Sequence, residues 1–502
     1  MDFPFTYRKT PLTNSDEDGL EAREVSRAEI KGERRCFDAV LFGPASPAYR
    51  ASRRIERRGA HDGPGGETMS TSTTTARPTS IRHAVLWMTV LVYLITYMDR
   101  GIISVAGPEI QKDYGFSDQT LGWVLGMFYL PYALFQIPGG WLGDRFGPRR
   151  VLAGIVIWWS AFTAATALSW NATSMAVARF LFGAGEAGAF PNATRSLSRW
   201  MLPSERGFAQ GITHAGARLG AALTPLIVAP IILLWGWRAP FFIFAGIGIV
   251  WAIFWFLWYR NTPQEHAQVN DAERSLIESG LGTAAGRSKV SPPWGKILRS
   301  PQMWLLCAMY ACYAFDFAMV LAWFPKYLTA ARGMSLGEMG FYASLPLLAG
   351  MLGGVAGGSI SDRLAVRTKN LKLARKVIAV IGFTLAAAIM PVAVLAADPV
   401  TSILLFCAAL FALELTVGIS WAVTLDIGGE YAGSVSATMN TAGNLAGFNA
   451  TVMTGYVVAA YGWNTMFFIL AGLSALGAVL FLGIDASRKL VPDESPSEPQ
   501  PG

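Results

Sequence analysis

Eight ionisable side chains lie inside long apolar segments of this 502-residue chain, where their types and spacing would allow proton transfer or the binding of a charged ligand. They are Asp99, Arg100, Arg179, Glu186, His214, Arg218, Asp316 and Glu414. A charged side chain at the centre of a lipid bilayer costs about 2.5–3.5 kcal/mol, and such residues usually face a cavity and pair with one another. Each of the eight is therefore a candidate functional residue.

Asp99, Arg179 and Glu186 have the composition of a proton relay. Arg179 and Glu186 are seven residues apart, about two helical turns, so they share one face of a helix. Protonation of a carboxylate releases an arginine that deprotonation recaptures, and the two pairings can favour different conformations. The alternative is a static ion-pair network that joins two helices.

Arg100, His214 and Arg218 have the chemistry to recognise an anion. A guanidinium group offers two parallel donors to a carboxylate, so Arg100 is a candidate anion-binding residue, unless its side chain extends to the membrane interface. His214 and Arg218 are four residues apart and share a helical face, and Arg218 adds a second cation. Two cations suit an anion with two charges, or one with a carboxylate and many hydroxyls.

Several alternatives stay open for the later residues of this set. His214 can be a packed core histidine, and Arg218 can form a structural ion pair with Glu414 or Asp316. The two acids can neutralise Arg218, carry a second proton or bind a hydroxyl of a ligand.

The elements that position these residues follow from the composition. The chain is 52% hydrophobic and 15% charged, with a net charge of +7. A soluble domain carries about 25% charged residues, so this chain cannot cover a water-facing surface of its size and is predicted to be an all-α polytopic membrane protein. The basic residues lie at the edges of apolar segments rather than in a groove, which argues against nucleic-acid binding. The four cysteines show no metal-ligand or disulfide spacing, and no phosphate-binding loop or nucleophile–base set is present, so we expect no metal, cofactor, nucleotide or enzymatic activity.

Twelve segments are long and apolar enough to cross the hydrocarbon core, which takes about 20 residues of helix. We number them spans 1 to 12, at 84–106, 119–139, 150–169, 171–191, 207–232, 240–259, 302–328, 337–360, 375–395, 399–425, 432–459 and 463–484. Basic residues concentrate in the loops after spans 2, 4 and 8. The positive-inside rule therefore places both termini in the cytoplasm.

An internal repeat divides the chain into two halves. Trp235-Gly236-Trp237 recurs as Tyr461-Gly462-Trp463 at an offset of 226 residues, at equivalent positions of two six-span units. At the same offset His214 and Arg218 correspond to Asn440 and Asn444. The predicted domains are a disordered N-terminal tail, two six-helix bundles joined by a cytoplasmic linker, and a disordered C-terminal tail. Their boundaries are 1–80, 81–260, 261–300, 301–485 and 486–502, with Met69 as a candidate true start.

The loop between spans 2 and 3 carries a family signature. Its sequence, Gly140-Trp-Leu-Gly-Asp144-Arg145-Phe-Gly-Pro-Arg-Arg150, resembles the signature loop of the major facilitator superfamily, and Asp362-Arg363 resembles the degenerate copy in that family's second half. The resemblance implies two pseudo-symmetric six-helix bundles. It also implies a gating role for Gly140, Asp144 and Arg145 and for their counterparts Asp362 and Arg363, in which Asp–Arg pairing latches a cytoplasmic helix contact.

Further motifs resemble the anion:cation symporter branch of that superfamily, which includes galactonate, hexuronate and glucarate permeases. They are Tyr97-Met98-Asp99-Arg100, Tyr132, Arg179-x-x-x-Gly183-x-x-Glu186, Trp421 and Asn440-x-x-Gly443-Asn444. The resemblance implies that Asp99, Arg179 and Glu186 couple proton entry to substrate movement. It further implies that Arg100, Tyr97, Tyr132 and Trp421 contact substrate, although a buried tyrosine can also serve packing alone.

The resulting hypothesis is a plasma-membrane secondary transporter, monomeric and multi-pass, that imports a small organic anion with protons by alternating access. A sugar acid such as a hexuronate or an aldonate is the leading substrate class. An exporter that exchanges anions or drugs for protons is one alternative, and a non-transporting anion sensor on the same fold is another. The expected partners are the anion, protons and the lipid bilayer.

Overall fold

The computed structural model describes residues 77–281 and 292–491, and these stretches form helices and short connections without a strand. The candidate start at Met69, residues 1–76, the linker segment 282–291 and residues 492–502 lie outside the described residues. The boundaries of the two bundles, the linker and the tails stay a prediction.

The spans of the first half are formed by eight helices. They are Ile81–Tyr114 (span 1), Asp118–Gly126 followed by Tyr129–Phe146 (span 2), Pro148–Ala167 (span 3), Ala172–Glu186 followed by Ala189–Trp200 (span 4), Arg206–Trp235 (span 5) and Ala239–Trp258 (span 6). Two short linker helices follow, Asp271–Leu281 and Trp294–Arg299.

The second half has longer helices. They are Pro301–Ala330 (span 7), Leu336–Thr368 (span 8), Leu371–Leu395 (span 9), Pro399–Gly428 (span 10) and Ala432–Leu482 (spans 11 and 12). The last segment has 51 residues, enough for two crossings, and it is interrupted at Gly462, whose φ is 80°. Gly236 occupies the equivalent position in the first half with a φ of 78°. The repeat therefore extends to a left-handed backbone position that favours glycine in both halves.

Ten helical segments of the described chain are long and apolar enough to cross a membrane. The difference from twelve has two causes. Spans 11 and 12 count as one segment, and span 4 consists of helices of 15 and 12 residues that are each too short to qualify. The all-helical membrane fold is thus confirmed, with spans 2 and 4 each split into two consecutive helices.

The two halves contact each other mainly at one end of the molecule. There Trp123 donates to the hydroxyl of Tyr456 at 3.2 Å, and Lys326 forms an ion pair with Asp118. Toward the other end, where Asp144 lies, His214 remains exposed although it faces Trp421 of the opposite half. A cleft between the halves therefore opens toward the Asp144 end.

The first linker helix is anchored to span 1. Glu273 is fully buried and accepts hydrogen bonds from the backbone N–H groups of Ile81 and Arg82, both at 3.2 Å. His266 lies between Trp200 and Trp258, with ring centroids 5.6 and 5.0 Å away, and burial lowers the pKa of its imidazole below the usual value. An uncharged His266 matches this aromatic surrounding.

Candidate functional site

Arg100 of span 1 lies in a box of aromatic rings and is neutralised by Glu186 of span 4. Its Nε donates to Glu186 Oε1 at 2.5 Å, and Glu186 is fully buried. The guanidinium carbon lies 4.6 Å from the ring centroid of Tyr132, 4.8 Å from those of Tyr97 and Phe128, and 5.8 Å from that of Phe190. Aromatic faces attract a cation, so the box and the carboxylate together stabilise the buried charge.

Asp99 points away from Arg100 and toward span 3. It is fully buried and accepts a hydrogen bond from Trp159 Nε1 at 3.0 Å, while its other oxygen has no hydrogen-bond partner among the described residues. A buried carboxylate with one neutral donor and one open oxygen is poorly stabilised as an anion, and protonation relieves that cost.

Arg179 has aromatic contacts in place of the pairing with Glu186 that a shared helical face suggests. Its guanidinium carbon lies 4.4 Å from the Phe182 ring centroid and 5.5 Å from that of Phe128, and its Nε has no hydrogen-bond partner in the described part of the chain. A small void lined by Arg100 and Arg179 has room for roughly one water molecule. The three relay candidates are thus brought together, with Glu186 bonded to Arg100.

Arg218 of span 5 is at the centre of a second ion pair, which crosses between the halves. Its Nη2 lies 2.7 Å from the hydroxyl of Tyr313 and 3.2 Å from Glu414 Oε2. Tyr313 in turn donates to Glu414 Oε1 at 2.7 Å, and the ring of Phe317 stacks 4.0 Å from the guanidinium carbon. Of the two acids that sequence reasoning offered to Arg218, the structure selects Glu414.

Asp316 lies elsewhere. It is fully buried on span 7 and accepts a hydrogen bond from Ser474 of span 12 at 2.6 Å. The structure therefore does not bring Asp316 into the cleft cluster.

The wall between the two arginines is aromatic and polar. The His214 ring lies 6.1 Å from the Phe190 centroid and 6.2 Å from that of Trp421, and Trp421 donates to the hydroxyl of Tyr310 at 3.2 Å. Asn440 donates to Gln136 Oε1 across the halves at 3.1 Å. Asn444 bonds to the backbone carbonyl of Asn440 at 2.8 Å, which leaves Asn440 as the cleft contact of the pair.

Sequence reasoning gave no role to Trp159, which donates to Asp99 and lies on an apolar helix beside Ser160. Gln136 and Phe190 belong to the motifs that resemble the symporter branch, without an assigned contact. Tyr310 and Tyr313 belong to an aromatic run that can gate the outer mouth or stack on a sugar, although helix packing is its more frequent role. Gln136 immediately precedes the Ile-Pro-Gly-Gly run of span 2, and a polar side chain inside an apolar helix was the available signal.

The aspartates of the two signature loops do not form ion pairs with the arginines that follow them in sequence. Asp144 forms its ion pair with Arg195 of span 4, whereas Arg145 lies 5.5 Å from the ring centroids of Trp141 and Phe146. In the second half Asp362 pairs at 2.6 Å with Arg375 of span 9, and Arg363 is exposed. Both aspartates therefore pair with arginines that lie outside the motif, in span 4 for Asp144 and in span 9 for Asp362.

The closest helix approach in the loop region is one residue before the predicted glycine. A Cβ at Gly139 would lie 2.5 Å from Gly188 Cα, while one at Gly140 would have ordinary contact, 3.5 Å, with Pro191. Gly139 and Gly143, where a Cβ would overlap Asn192 Oδ1, are therefore the positions that require a missing side chain.

The comparison with protein-family models decides the affiliation, because the model described as Major Facilitator Superfamily matches residues 89–451. The chain belongs to the major facilitator superfamily. Members of this superfamily are membrane transporters rather than enzymes, and the predicted family and fold are confirmed.

Named relatives are close in sequence over nearly their full length. A protein named "Probable sulfoacetate transporter" from Cupriavidus necator is 38% identical over 420 residues, 83% of this chain and 96% of the relative. The "Hexuronate transporter" of Bacillus subtilis is 32% identical, over 77% of this chain and 90% of the relative. A "Probable galactarate/D-glucarate transporter" of the same species is 31% identical, over 81% and 92%.

A solved major facilitator structure matches the fold. It is the crystal structure of a bacterial homolog of the human lysosomal transporter Spinster in an inward-facing, unoccupied conformation. The TM-score is 0.63 with 19% sequence identity, over 82% of this chain and 96% of that one. This likeness concerns the fold alone.

Proposed function

We propose that the protein is a proton-coupled symporter that imports a small organic anion. The observation that carries the proposal is the Arg100 box, in which a glutamate carboxylate occupies the position that the acid group of a bound anion would take. An arginine already aligned with a carboxylate among aromatic rings is preorganised for a second carboxylate.

Exchange of carboxylates couples the proton to the anion. One proton added to Glu186 converts its carboxylate to a neutral acid and breaks the ion pair, and Arg100 then accepts the acid group of the anion. Loss of the proton on the opposite side restores the Glu186–Arg100 pair and displaces the anion. Proton and anion therefore favour the same state, which is the thermodynamic requirement for coupling.

Asp99 and Arg179 extend the relay beyond Glu186. Both lie in the same buried region, and each has a polar atom without a hydrogen-bond partner in the described part of the protein. Asp99 therefore serves as a proton acceptor on the path to Glu186. Arg179 stabilises whichever of the two acids is deprotonated.

The substrate class follows from the relatives and from the cleft. The names of the relatives cover sulfoacetate, hexuronate and galactarate/glucarate, all of them small organic anions with carboxylate or sulfonate groups. Gln136, His214 and Asn440 offer hydrogen-bonding groups to hydroxyls of such an anion. The positive-inside rule assigns the Asp144 end to the cytoplasm, so the cleft of this structure faces inward.

The experiment is uptake of labelled anions by proteoliposomes with an acidic exterior. We expect accumulation by the natural protein. Glu186→Gln and Asp99→Asn should abolish gradient-driven accumulation while anion binding at low pH is retained. Asp113→Asn is a matched control, because Asp113 accepts from Trp237 Nε1 at 3.0 Å, the distance found at Asp99, but lies outside the cleft.

Three outcomes would contradict the proposal. Accumulation that survives Glu186→Gln would remove the relay. Anion movement opposite to the proton gradient would indicate an exporter, and saturable binding without flux would indicate a sensor.

A further inference from the structure

The Arg218–Glu414–Tyr313 cluster resembles the Arg100–Glu186 pair in its chemistry and lies further along the same wall of the cleft. In both, a glutamate that is at most 1% exposed neutralises an arginine that packs against aromatic rings. The two clusters differ in which halves of the protein contribute their residues. Arg100 and Glu186 both belong to the first half, whereas Arg218 belongs to the first half and its two partners belong to the second.

Arg218 retains an unpaired donor. Its side chain is 19% exposed, against 1% for Glu414, and its Nη1 is buried without a hydrogen-bond partner among residues 77–281 and 292–491. A partly exposed guanidinium with an unpaired N–H group can turn to a second oxyanion without first losing all of its present contacts.

The two arginines lie on one continuous wall. Phe190 contacts the guanidinium of Arg100 at 5.8 Å and the ring of His214 at 6.1 Å, and His214 precedes Arg218 by one helical turn. One phenyl ring and one imidazole therefore lie between the two cations along the cleft. An anion with an acid group at each end can direct one group toward each cation.

The geometry points to Arg218 as a second acid-binding site, so that the transported substrates are dianions with one acid group on Arg100 and the other on Arg218. This inference rests on the proposed function and narrows its substrate class. Dicarboxylates and sulfonate–carboxylates fall within the class. A monoanionic sugar acid has no second acid group, so the ion pair between Arg218 and Glu414 stays intact.

Glu414 is then the second proton site. One proton added to its carboxylate breaks the ion pair with Arg218, which turns to the second acid group of the dianion. The charged and titratable groups that contact Glu414 are Arg218 from span 5 and Tyr313 from span 7, while span 8 places Gly350 and Gly354 beside it. Two protons thus accompany two negative charges.

The rival explanation is a strut, an ion pair that only holds the two halves together. A strut would be broken by loss of either partner and would be indifferent to the charge of the substrate. A binding site distinguishes the two partners, because Glu414 competes with the dianion while Arg218 holds it.

The test compares binding of matched anions to the purified full-length protein by thermal shift and calorimetry at pH 5.5 and 7.5. The probes are D-glucarate against D-gluconate, which have equal chain length, and sulfoacetate against ethanesulfonate. We expect the natural protein to prefer at least one dianion by about tenfold or more, the worth of a charge-assisted hydrogen bond. Arg218→Gln should remove the preference, and Glu414→Gln should keep it while reducing its dependence on pH.

Controls separate folding from recognition. Arg238→Gln removes an arginine that pairs with Asp113 outside the cleft, and it should retain the dianion preference. If Arg218→Gln alone fails to fold because Glu414 is left unpaired, the double variant Arg218→Gln/Glu414→Gln restores neutrality and should fold without the preference.

Two results would overturn the second site and favour the strut. One is equal affinity of the natural protein for dianions and monoanions. The other is a loss of affinity for both kinds of anion that is the same in Arg218→Gln and in Glu414→Gln. A protein that neither binds nor accumulates any of the four anions would overturn the proposed function itself.

Discussion

The two cleft arginines are each held by a resident carboxylate and by aromatic rings, so both the shape and the charge of the guanidinium matter. Arg100 donates through Nε to Glu186 Oε1, and its Nη2 forms an ion pair with the same oxygen, so the contact follows the plane of the guanidinium. An ammonium group is a compact point charge and cannot reproduce this contact or stack flat on Tyr132.

The substitution Arg100→Lys tests whether anion binding depends on the planar shape of the guanidinium, because the positive charge is kept. We expect the dissociation constant for anions to rise about tenfold or more, because one charge-assisted hydrogen bond is lost. Isothermal titration of the purified protein measures the change. Arg149→Lys is the control, since Arg149 lies 5.0 Å from the ring of Phe256 outside the cleft. Equal affinities for the two lysine variants would contradict a role for the planar guanidinium of Arg100.

The identity of the buried ionisable residues could be predicted from the sequence, whereas their partners could not. Depth in an apolar segment is enough to mark Arg100, Glu186, Arg218 and Glu414. Pairing depends on the rotation and spacing of whole helices, and Glu186 could reach Arg179 on its own helix or Arg100 on another. The structure places it against Arg100 because span 1 packs within reach of the break that ends the first helix of span 4.

The contact between spans 2 and 11 closes one end of the cleft. A Cβ at Gly455 would overlap the carbonyl oxygen of Asp118, so there is no room for any side chain. The hydrogen bond between Trp123 and Tyr456 lies beside this contact. The glycine therefore sets how tightly this end can close.

Gly455→Ala is expected to destabilise the closed end and to shift the population toward the state open there. An overlap of this kind costs about 1–3 kcal/mol, which is a shift of several-fold or more. Maleimide labelling of Leu125→Cys, in a background without the four native cysteines, measures it from the closed side. Gly472→Ala is the control, because a Cβ there meets nothing within 4 Å. Unchanged labelling in Gly455→Ala would contradict the role of this contact.

The number of spans and the break at Gly462 follow from apolar length and from the repeat, but the splitting of spans 2 and 4 does not. Hydropathy counts apolar residues and cannot distinguish one bent helix from two. The predicted bounds are also too short, as for span 1, which runs to Tyr114 rather than residue 106. Helices continue through polar ends that lie outside the apolar stretch.

Over the whole molecule the described part of the linker is attached to the first half. Glu273 caps the start of span 1, a contact across 191 or more residues of sequence, and His266 packs between Trp200 and Trp258. A helix N-terminus has unpaired N–H groups that favour a carboxylate, so this acid fixes the position where span 1 begins.

Glu273→Gln should loosen this attachment, because an amide is a weaker acceptor and leaves Arg82 without one of its acidic partners. We expect a loss of about 1–3 kcal/mol and faster cleavage of the linker by trypsin. Thermal unfolding in detergent and timed proteolysis measure the two effects. Glu278→Gln changes an exposed acid on the same helix and should behave like the natural protein. Identical cleavage rates for both variants would show that the cap is dispensable.

The cleft clusters together contain three acids and three bases, and this equality has an electrical consequence. With Asp99, Glu186 and Glu414 ionised against Arg100, Arg179 and Arg218, the empty protein carries no net charge among these six residues. Moving one unbalanced charge through a membrane potential of 100 mV changes the free energy by about 2.3 kcal/mol, so an empty carrier with balanced charges returns without work against the voltage. A dianion loaded with two protons is equally balanced. The cycle would then draw on the acidity difference and the anion gradient, and a membrane that had lost its voltage would still support accumulation.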